Sequence, residues 1–300
     1  MKVRFIVNPV AGGADRVKNI TEAVKRLLKT EQGIFDIKVT KGRTDASGYA
    51  DASGFSRDAV EKGYDAVFAC GGDGTINEVA RELVSTSTVL GVIPGGSGNG
   101  FARSLGLPED IDSAIGLLKG FKTREIDVGV ICGRYFFSTA GCGFDARLSK
   151  RYNEGKVSRK VRGLVPYYPL ALTEFFRFKP RELTVQTDCQ TIKVAPLILT
   201  AANTEQYGGG AVIAPGAQPD DGLLDLCIVP MTGLMAARKL ARKVLSGKVT
   251  DFNGYMCVRT DRIEITGAGD SVVQADGEPF EWRGSITIGI LHKKLKVLVG

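Results

Sequence analysis

Between positions 65 and 84 the chain passes from an unbroken apolar run, Ala66-Val67-Phe68-Ala69-Cys70, through Gly71-Gly72-Asp73-Gly74-Thr75 into an amphipathic stretch. An apolar run of that length reads as a strand buried on both faces, and the turn after it opens directly into a helix over about 75–84. Strands covered on both faces belong to parallel sheets flanked by helices, so this one segment points to an α/β layer.

The flanking sequence agrees. A strand at 3–7, a helix near 16–29, a strand near 35–40, a helix near 45–62, a strand at 89–93 and a short helix after a glycine-rich loop at 95–100 follow in turn. This βαβα order predicts a doubly wound, mostly parallel sheet, whose ligands gather at the carboxyl ends of the strands. Both the 71–75 segment and Pro94-Gly95-Gly96-Ser97-Gly98-Asn99 follow strand ends, and the two loops are expected to face one crevice.

From about Arg124 the pattern changes to short β-rich runs at 126–131, 135–140, 183–187, 191–200, 224–229, 262–266, 271–275, 285–290 and 294–299. That spacing predicts a β-sandwich. The expected division is an α/β nucleotide-binding domain over residues 1–123 and a β-sandwich lipid-binding domain over 124–300, with ATP and acceptor meeting in the cleft between them. The last strand, about 286–300, is expected to pack back on the first domain. A basic then aromatic stretch at 150–178 and a basic amphipathic helix at 234–245 interrupt the strands.

The 300 residues, 43% hydrophobic and 24% charged, have ordinary globular composition and room for two domains. Net charge is +7, and the segment 150–181 carries nine Lys or Arg against two Glu, so the excess is local. The six cysteines, Cys70, Cys132, Cys142, Cys189, Cys227 and Cys257, show no C-x-x-C spacing and read as reduced, buried and structural. The first residues hold too short an apolar run for a signal peptide, and the longest apolar stretch, about 194–202, is far below the ~20 residues of a membrane span. A cytoplasmic location is expected.

Chemistry concentrates in the 71–75 loop. Its backbone amides and the start of the following helix suit a phosphate chain. A carboxylate at Asp73 would repel phosphate unless Mg²⁺ bridges them or the carboxylate handles a proton, so Asp73 favours phosphoryl transfer over passive binding. The same residues also fit a tight turn in which Asp73 caps the next helix. No Walker A sequence or complete G-x-G-x-x-G is present.

An ordered set of motifs resembles the diacylglycerol kinase catalytic family, which includes bacterial lipid kinases and sphingosine and ceramide kinases. Its members are Asn8-Pro9 with Gly12-Gly13, Thr40, the 71–75 loop with Asn77-Glu78, the 95–99 loop with Phe101-Ala102-Arg103, and Gly141-x-Gly143-Phe144-Asp145. Ala202-Asn203 with Gly208-Gly209-Gly210, Ala214-Pro215 with Asp221-Gly222-Leu223-Leu224-Asp225, and Asp276-Gly277-Glu278 complete it.

The resemblance implies the NAD kinase/diacylglycerol kinase-like fold and an ATP-dependent lipid kinase. ATP would be held by Asn8, Thr40, Gly71, Gly72, Asp73, Gly74, Thr75, Glu78, Gly96, Ser97 and Asn99. Ser97 stands where relatives usually carry Thr, and Gly100 replaces their Asp. In the Asp276-Gly277-Glu278 triplet, Asp276 matches the family's general base, beside the carboxylate of Glu278, with Asp73 as the alternative base. The triplet also reads as a plain type I′ hairpin. The resemblance further implies a Mg²⁺ held by the Asp221 carboxylate and the carbonyls of Gln218 and Leu223, a segment that equally suits a solvated turn.

Clustered charge and aromatics at 150–181, with the basic helix region 238–248, suit peripheral docking on an anionic membrane rather than a nucleic acid. The same segments also fit a solvated basic face over an ordinary core. His292, without Cys, Asp or Glu neighbours in sequence, is expected at the surface. The acceptor is a lipid alcohol whose identity, like oligomeric state, stays open; a homo-oligomer is compatible with the sequence. Two rival readings are an NAD kinase and a catalytically silent, membrane-associated nucleotide sensor.

Overall fold

The computed structural model describes residues 1–11, 15–28, 32–41, 51–96, 98–154 and 167–300. Gly12-Gly13, Ser97, and the part of the basic segment over 155–166 lie outside the described residues. Two compact units form: Met1–Ile126 with Lys293–Gly300, and Asp127–His292.

In the first unit, strands β1 (Lys2–Val7), β2 (Ile34–Val39), β3 (Ala66–Gly71) and β4 (Val89–Pro94) alternate with helices α1 (Arg16–Leu28), α2 (Asp51–Glu61) and α3 (Asp73–Leu83). Short helices α4 (Gly100–Ser104) and α5 (Ile111–Gly116) follow. The strands pair in parallel in the order β2-β1-β3-β4. Every residue of β3 and β4 is buried, as their unbroken apolar runs require of central parallel strands. Phe5 of β1 stacks on Phe68 of β3 at 4.8 Å between ring centroids, in a core with Ile20 and Val24 of α1 and Leu118.

Strand β5 (Thr123–Ile131) leads into the second unit, where β6 (Arg134–Phe136), β7 (Thr139–Gly143), α6 (Phe144–Glu154) and α7 (Tyr167–Arg177) come next. Strands β8 (Leu183–Thr187), β9 (Thr191–Val194), β10 (Pro196–Ala202), β11 (Gln206–Gly208), β12 (Ala211–Val212) and β13 (Leu224–Pro230) precede α8 (Leu234–Leu245). The chain closes with β14 (Met256–Thr260), β15 (Arg262–Thr266), β16 (Ser271–Ala275), β17 (Glu278–Trp282) and β18 (Ile286–Leu298).

An antiparallel sheet β14-β13-β10-β7-β16-β17 packs on β18-β15-β8-β9. Alternation along β13 makes both layers: Leu224, Leu226 and Ile228 enter the core between the sheets. Cys227 and Val229 face the opposite way, against Leu240 of α8 and Phe175 and Phe178 near the end of α7. The architecture is thus an α/β layer with a parallel sheet, then an antiparallel β-sandwich.

Two sequence expectations need correction. The runs 285–290 and 294–299 form one strand, β18, kinked where Lys293 takes φ 53°, at the point where the chain passes from the second unit to the first. The 144–154 and 167–177 segments, which interrupt the strands, are helical. Cys189 and Cys257 are exposed, while Cys70, Cys142 and Cys227 are buried; all six thiols are free.

Candidate active site

The end of β3 and the end of β4 carry the two glycine loops of the first unit side by side. The Gly95 amide donates to the Gly71 carbonyl at 2.7 Å, extending the pairing of the strands beyond their ends. Beyond that bond the backbones touch: a Cβ on Gly96 would lie 2.9 Å from the Gly72 Cα, and one on Gly72 would lie 3.3 Å from the Gly96 Cα. Only residues without side chains permit this approach.

Helix α3 starts at Asp73 with Gly72 as an extended N-cap that supplies no side-chain acceptor. Its first-turn amides have no acceptor within the helix, so they form an electropositive end beside the glycine contact. Below Gly95 lies Arg16, 8% exposed, whose guanidinium donates to the Ile93 carbonyl at 2.6 Å. A Cβ on Gly95 would meet the Arg16 guanidinium carbon at 2.3 Å. Burial pushes the Arg16 pKa down, and its Nε has no hydrogen-bond partner among the described residues. Motif reading missed Arg16 because its partner is a backbone carbonyl 77 positions away.

Asp73 is largely withdrawn from solvent, which raises its pKa. The amides of Phe101, Asn99 and Gly100, at the start of α4, act in the opposite sense by favouring the ionised form. Its Oδ1 is buried without a hydrogen-bond partner among the described residues. The carboxylate therefore sits against one helix start while its own backbone begins another. Asn99 adopts φ 50° and its side chain accepts from the Gly96 amide at 2.9 Å, which pins the second loop.

Asn8 lies at the end of β1, and its Nδ2 donates to Thr75 Oγ1 at 3.1 Å, joining the 8–10 turn to the first turn of α3. Thr40 follows β2, is 7% exposed and donates its amide to the Val7 carbonyl at 2.9 Å. Glu78 lies one turn into α3, its carbonyl accepting from Ser53. Gly71, Gly72, Asp73, Gly74, Thr75, Gly96 and Asn99 thus come together at the carboxyl ends of β3 and β4, with Asn8 beside them.

In the second unit Asp276 occupies the turn between β16 and β17, with φ 49° followed by Gly277 at φ 80°. Two successive positive φ angles are the type I′ geometry that Asp-Gly favours. The turn does more than reverse the chain: the Asp276 carboxylate accepts from the amides of Phe137, Ser138 and Thr139 at 2.9, 2.8 and 3.1 Å. The Ser138 carbonyl in turn accepts from the Asn203 amide at 2.8 Å, and Asn203 Nδ2 donates to the carbonyls of Asp127 and Phe137. Glu278 is exposed at the start of β17. Further along the sheet a buried polar group joins Asp145, Thr200, Tyr207 and Gln274, and burial raises Asp145 to about 6. Of these, the sequence marks only Asp145, as part of the resemblance.

The 218–223 turn does not fit a resident Mg²⁺. Asp221 Oδ1 accepts from the Leu223 amide at 3.0 Å and Oδ2 pairs with the Arg259 guanidinium, so the carboxylate expected to hold the metal is already neutralised. Gln218 bonds weakly to the Gly216 carbonyl. Among the described residues no cluster of three His, Cys, Asp or Glu could hold a metal. Beside this turn His292 is half-exposed, but its Nδ1 lies 2.8 Å from Oδ1 of the fully buried Asp127, whose Oδ2 accepts from Gly222. The surface reading of His292 missed this partner, 165 positions away in the chain.

The parallel α/β layer with its paired strand-end glycine loops, followed by an antiparallel sandwich, defines the NAD kinase/diacylglycerol kinase-like fold. Residues 2–131 match the diacylglycerol kinase catalytic domain family, and residues 138–299 match the YegS C-terminal NAD kinase beta sandwich-like domain family. A diacylglycerol kinase of Mycobacterium tuberculosis (strain CDC 1551 / Oshkosh) is 31% identical over 92% of this chain and 88% of its own. A crystal structure of a diacylglycerol kinase from Bacillus anthracis str. Sterne superposes on the whole chain and 97% of its own, with a TM-score of 0.73 at 22% identity. An NAD kinase from Archaeoglobus fulgidus, solved in complex with ATP, shares the fold at a TM-score of 0.54 and 14% identity, over the whole chain and 94% of its own. The chain belongs to the diacylglycerol kinase catalytic family, a family of lipid kinases.

Proposed function

We propose that the protein is an ATP-dependent kinase that moves the γ-phosphoryl group of ATP onto the hydroxyl of a diacylglycerol-like lipid. The observation that carries this reading is the contact of Gly72 with Gly96 beside the uncapped start of α3. Bare backbone and free helix amides together suit a chain of phosphate oxygens. A relative named diacylglycerol kinase, similar over 92% of the chain, favours a glycerolipid acceptor.

In this reading the amides of 71–75 and the Asn99-held Gly96 orient the phosphates, with Asn8, Thr40, Glu78 and Ser97 completing the nucleotide site. Mg²⁺ bound to the nucleotide as part of the substrate would supply charge neutralisation at the phosphate oxygens. No step is assigned to the 218–223 turn. Asp276 takes the acceptor proton as the lipid oxygen bonds to the γ-phosphorus and the bridging oxygen leaves with ADP. Its three amide donors fix the carboxylate's direction, which is what positioning demands of a base. Glu278 lies beside it, and Asp73 is the alternative base. The basic segments 150–181 and 238–248 dock the enzyme peripherally on the cytoplasmic face of a membrane.

The test is incubation of the protein with γ-labelled ATP and total lipid extract, followed by identification of the labelled product. A labelled glycerolipid is expected. Label on NAD and on no lipid would overturn the reading in favour of an NAD kinase; nucleotide binding without turnover would leave a silent sensor.

A further inference from the structure

Strands β13 and β14 place two of the six cysteines directly opposite each other, Cys227 facing Cys257 in register. Leu226 and Ile228 on β13 and Val258 on β14 turn into the sandwich core, so both thiols project from the other face of the sheet. Residues opposed in an antiparallel pair hold their Cα atoms about 4.5–5.5 Å apart, inside the span of about 4.4–6.8 Å that a disulfide bridges. The two side chains can therefore bond by rotation alone, with no slip of strand register.

Their surroundings differ. Cys257 is exposed, on the edge strand of its sheet. Its thiol donates to Asp225 Oδ1 at 3.4 Å, so a carboxylate stands ready to take the proton. Burial raises the Asp225 pKa, which strengthens it as a base. Cys227 is fully buried, its Sγ 3.4 Å from the Ile213 carbonyl oxygen and 3.2 Å from the Tyr255 hydroxyl. Hydrogen bonding between the two thiols lowers the Cys257 pKa and raises that of Cys227. One sulfur is thus accessible and disposed to ionise, and the other is shielded beside it, as an attacking and a resolving thiol require.

We propose that Cys227 and Cys257 form an oxidant-sensitive dithiol, which peroxide converts reversibly to a cross-strand disulfide. The Cys257 thiolate attacks one peroxide oxygen, the O–O bond breaks, and the departing hydroxide takes the proton left on Asp225 and leaves as water. The Cys227 sulfur then attacks the sulfenic acid on Cys257. The S–S bond forms, the S–O bond breaks, and hydroxide leaves with the Cys227 proton as a second water. Each sulfur gives up one electron and the peroxide accepts two. The bond ties edge strand β14 to β13 and closes a loop that carries α8. Neither thiol belongs to the proposed kinase machinery, so this inference and that reading can fail separately.

The experiment treats the reduced, folded full chain with stoichiometric hydrogen peroxide, counts free thiols after unfolding in urea, and maps disulfide-linked peptides. Loss of two of the six thiols, a peptide joining Cys227 to Cys257, and full recovery with dithiothreitol are expected. Cys227→Ala should trap the sulfenic acid and raise dimedone labelling of Cys257 about tenfold over wild type. Cys257→Ser, at an exposed position, should leave every remaining thiol free and covers the case in which Cys227→Ala misfolds. Cys189→Ser removes the other exposed cysteine and should form the bond as wild type does. Oxidation of Cys257 to sulfinic acid with Cys227 still free would overturn the proposal. So would a disulfide joining two chains, thiol loss unchanged by Cys257→Ser, or no thiol loss at all.

Discussion

Gly72 and Gly96 meet backbone to backbone, close enough that a Cβ on Gly96 would lie 2.9 Å from the Gly72 Cα. The contact joins the loops after two neighbouring parallel strands, and a side chain on Gly96 would force one of the two backbones to shift. Gly96→Ala should therefore force the loops apart. We expect a loss of stability of about 1–3 kcal/mol, the usual cost of overpacking, and at least tenfold weaker ATP binding. Urea unfolding and nucleotide titration would measure the two effects.

Arg16 supports the second loop from below through its bond to the Ile93 carbonyl. Arg16→Ala removes a charged hydrogen bond to that carbonyl and hollows the space beneath Gly95, at an expected cost of about 2 kcal/mol or more. Arg16→Lys should recover little, because an ammonium lacks the flat face that Gly95 rests on. The check is the unfolding midpoint of both variants together with the KM for ATP, which should rise in each.

Asp145 provides a pH signature. Burial raises its carboxyl from 3.8 to about 6, so between those values the folded chain holds a proton that the unfolded chain has released. Stability from this group is accordingly greatest at low pH and declines as pH rises through that window, by on the order of 3 kcal/mol in total. Asp145→Asn should abolish that slope. Chemical unfolding of wild type and variant across the window would show the difference curve.

Chelation separates substrate metal from structural metal. Asp221 is paired with Arg259 and Leu223, so EDTA should leave the unfolding temperature unchanged while stopping turnover by removing Mg²⁺ from the nucleotide. Asp221→Asn should cost no more than about 1 kcal/mol, as the pair is partly solvated. A fall in melting temperature on chelation would restore the 218–223 turn as a metal site.

Contiguous chemistry was legible in the sequence, and partnerships across long separations were not. The apolar run ending at Cys70 and the glycine loop after it announced a buried parallel strand feeding a helix, because strand burial and turn geometry are local properties. The turn at Asp276-Gly277 was readable for the same reason. What the Asp276 carboxylate holds, the amides of 137–139, lies 137 or more positions away and leaves no pattern in the chain. His292 looked isolated because Asp127 meets it only once the sandwich has formed. Arg16 and Glu174 escaped notice similarly: a buried charge has the same letter as an exposed one, and only packing tells them apart.

The proposed role of Asp276 in the transfer of phosphate to a lipid hydroxyl is tested by Asp276→Asn in a labelled-ATP assay with lipid micelles. Nucleotide affinity and folding are read on the same sample, because the three amides facing the side chain make some destabilisation certain. Turnover should fall at least ~100-fold, the scale of acid–base catalysis, with nucleotide binding retained. Turnover close to wild type in the folded variant would contradict it.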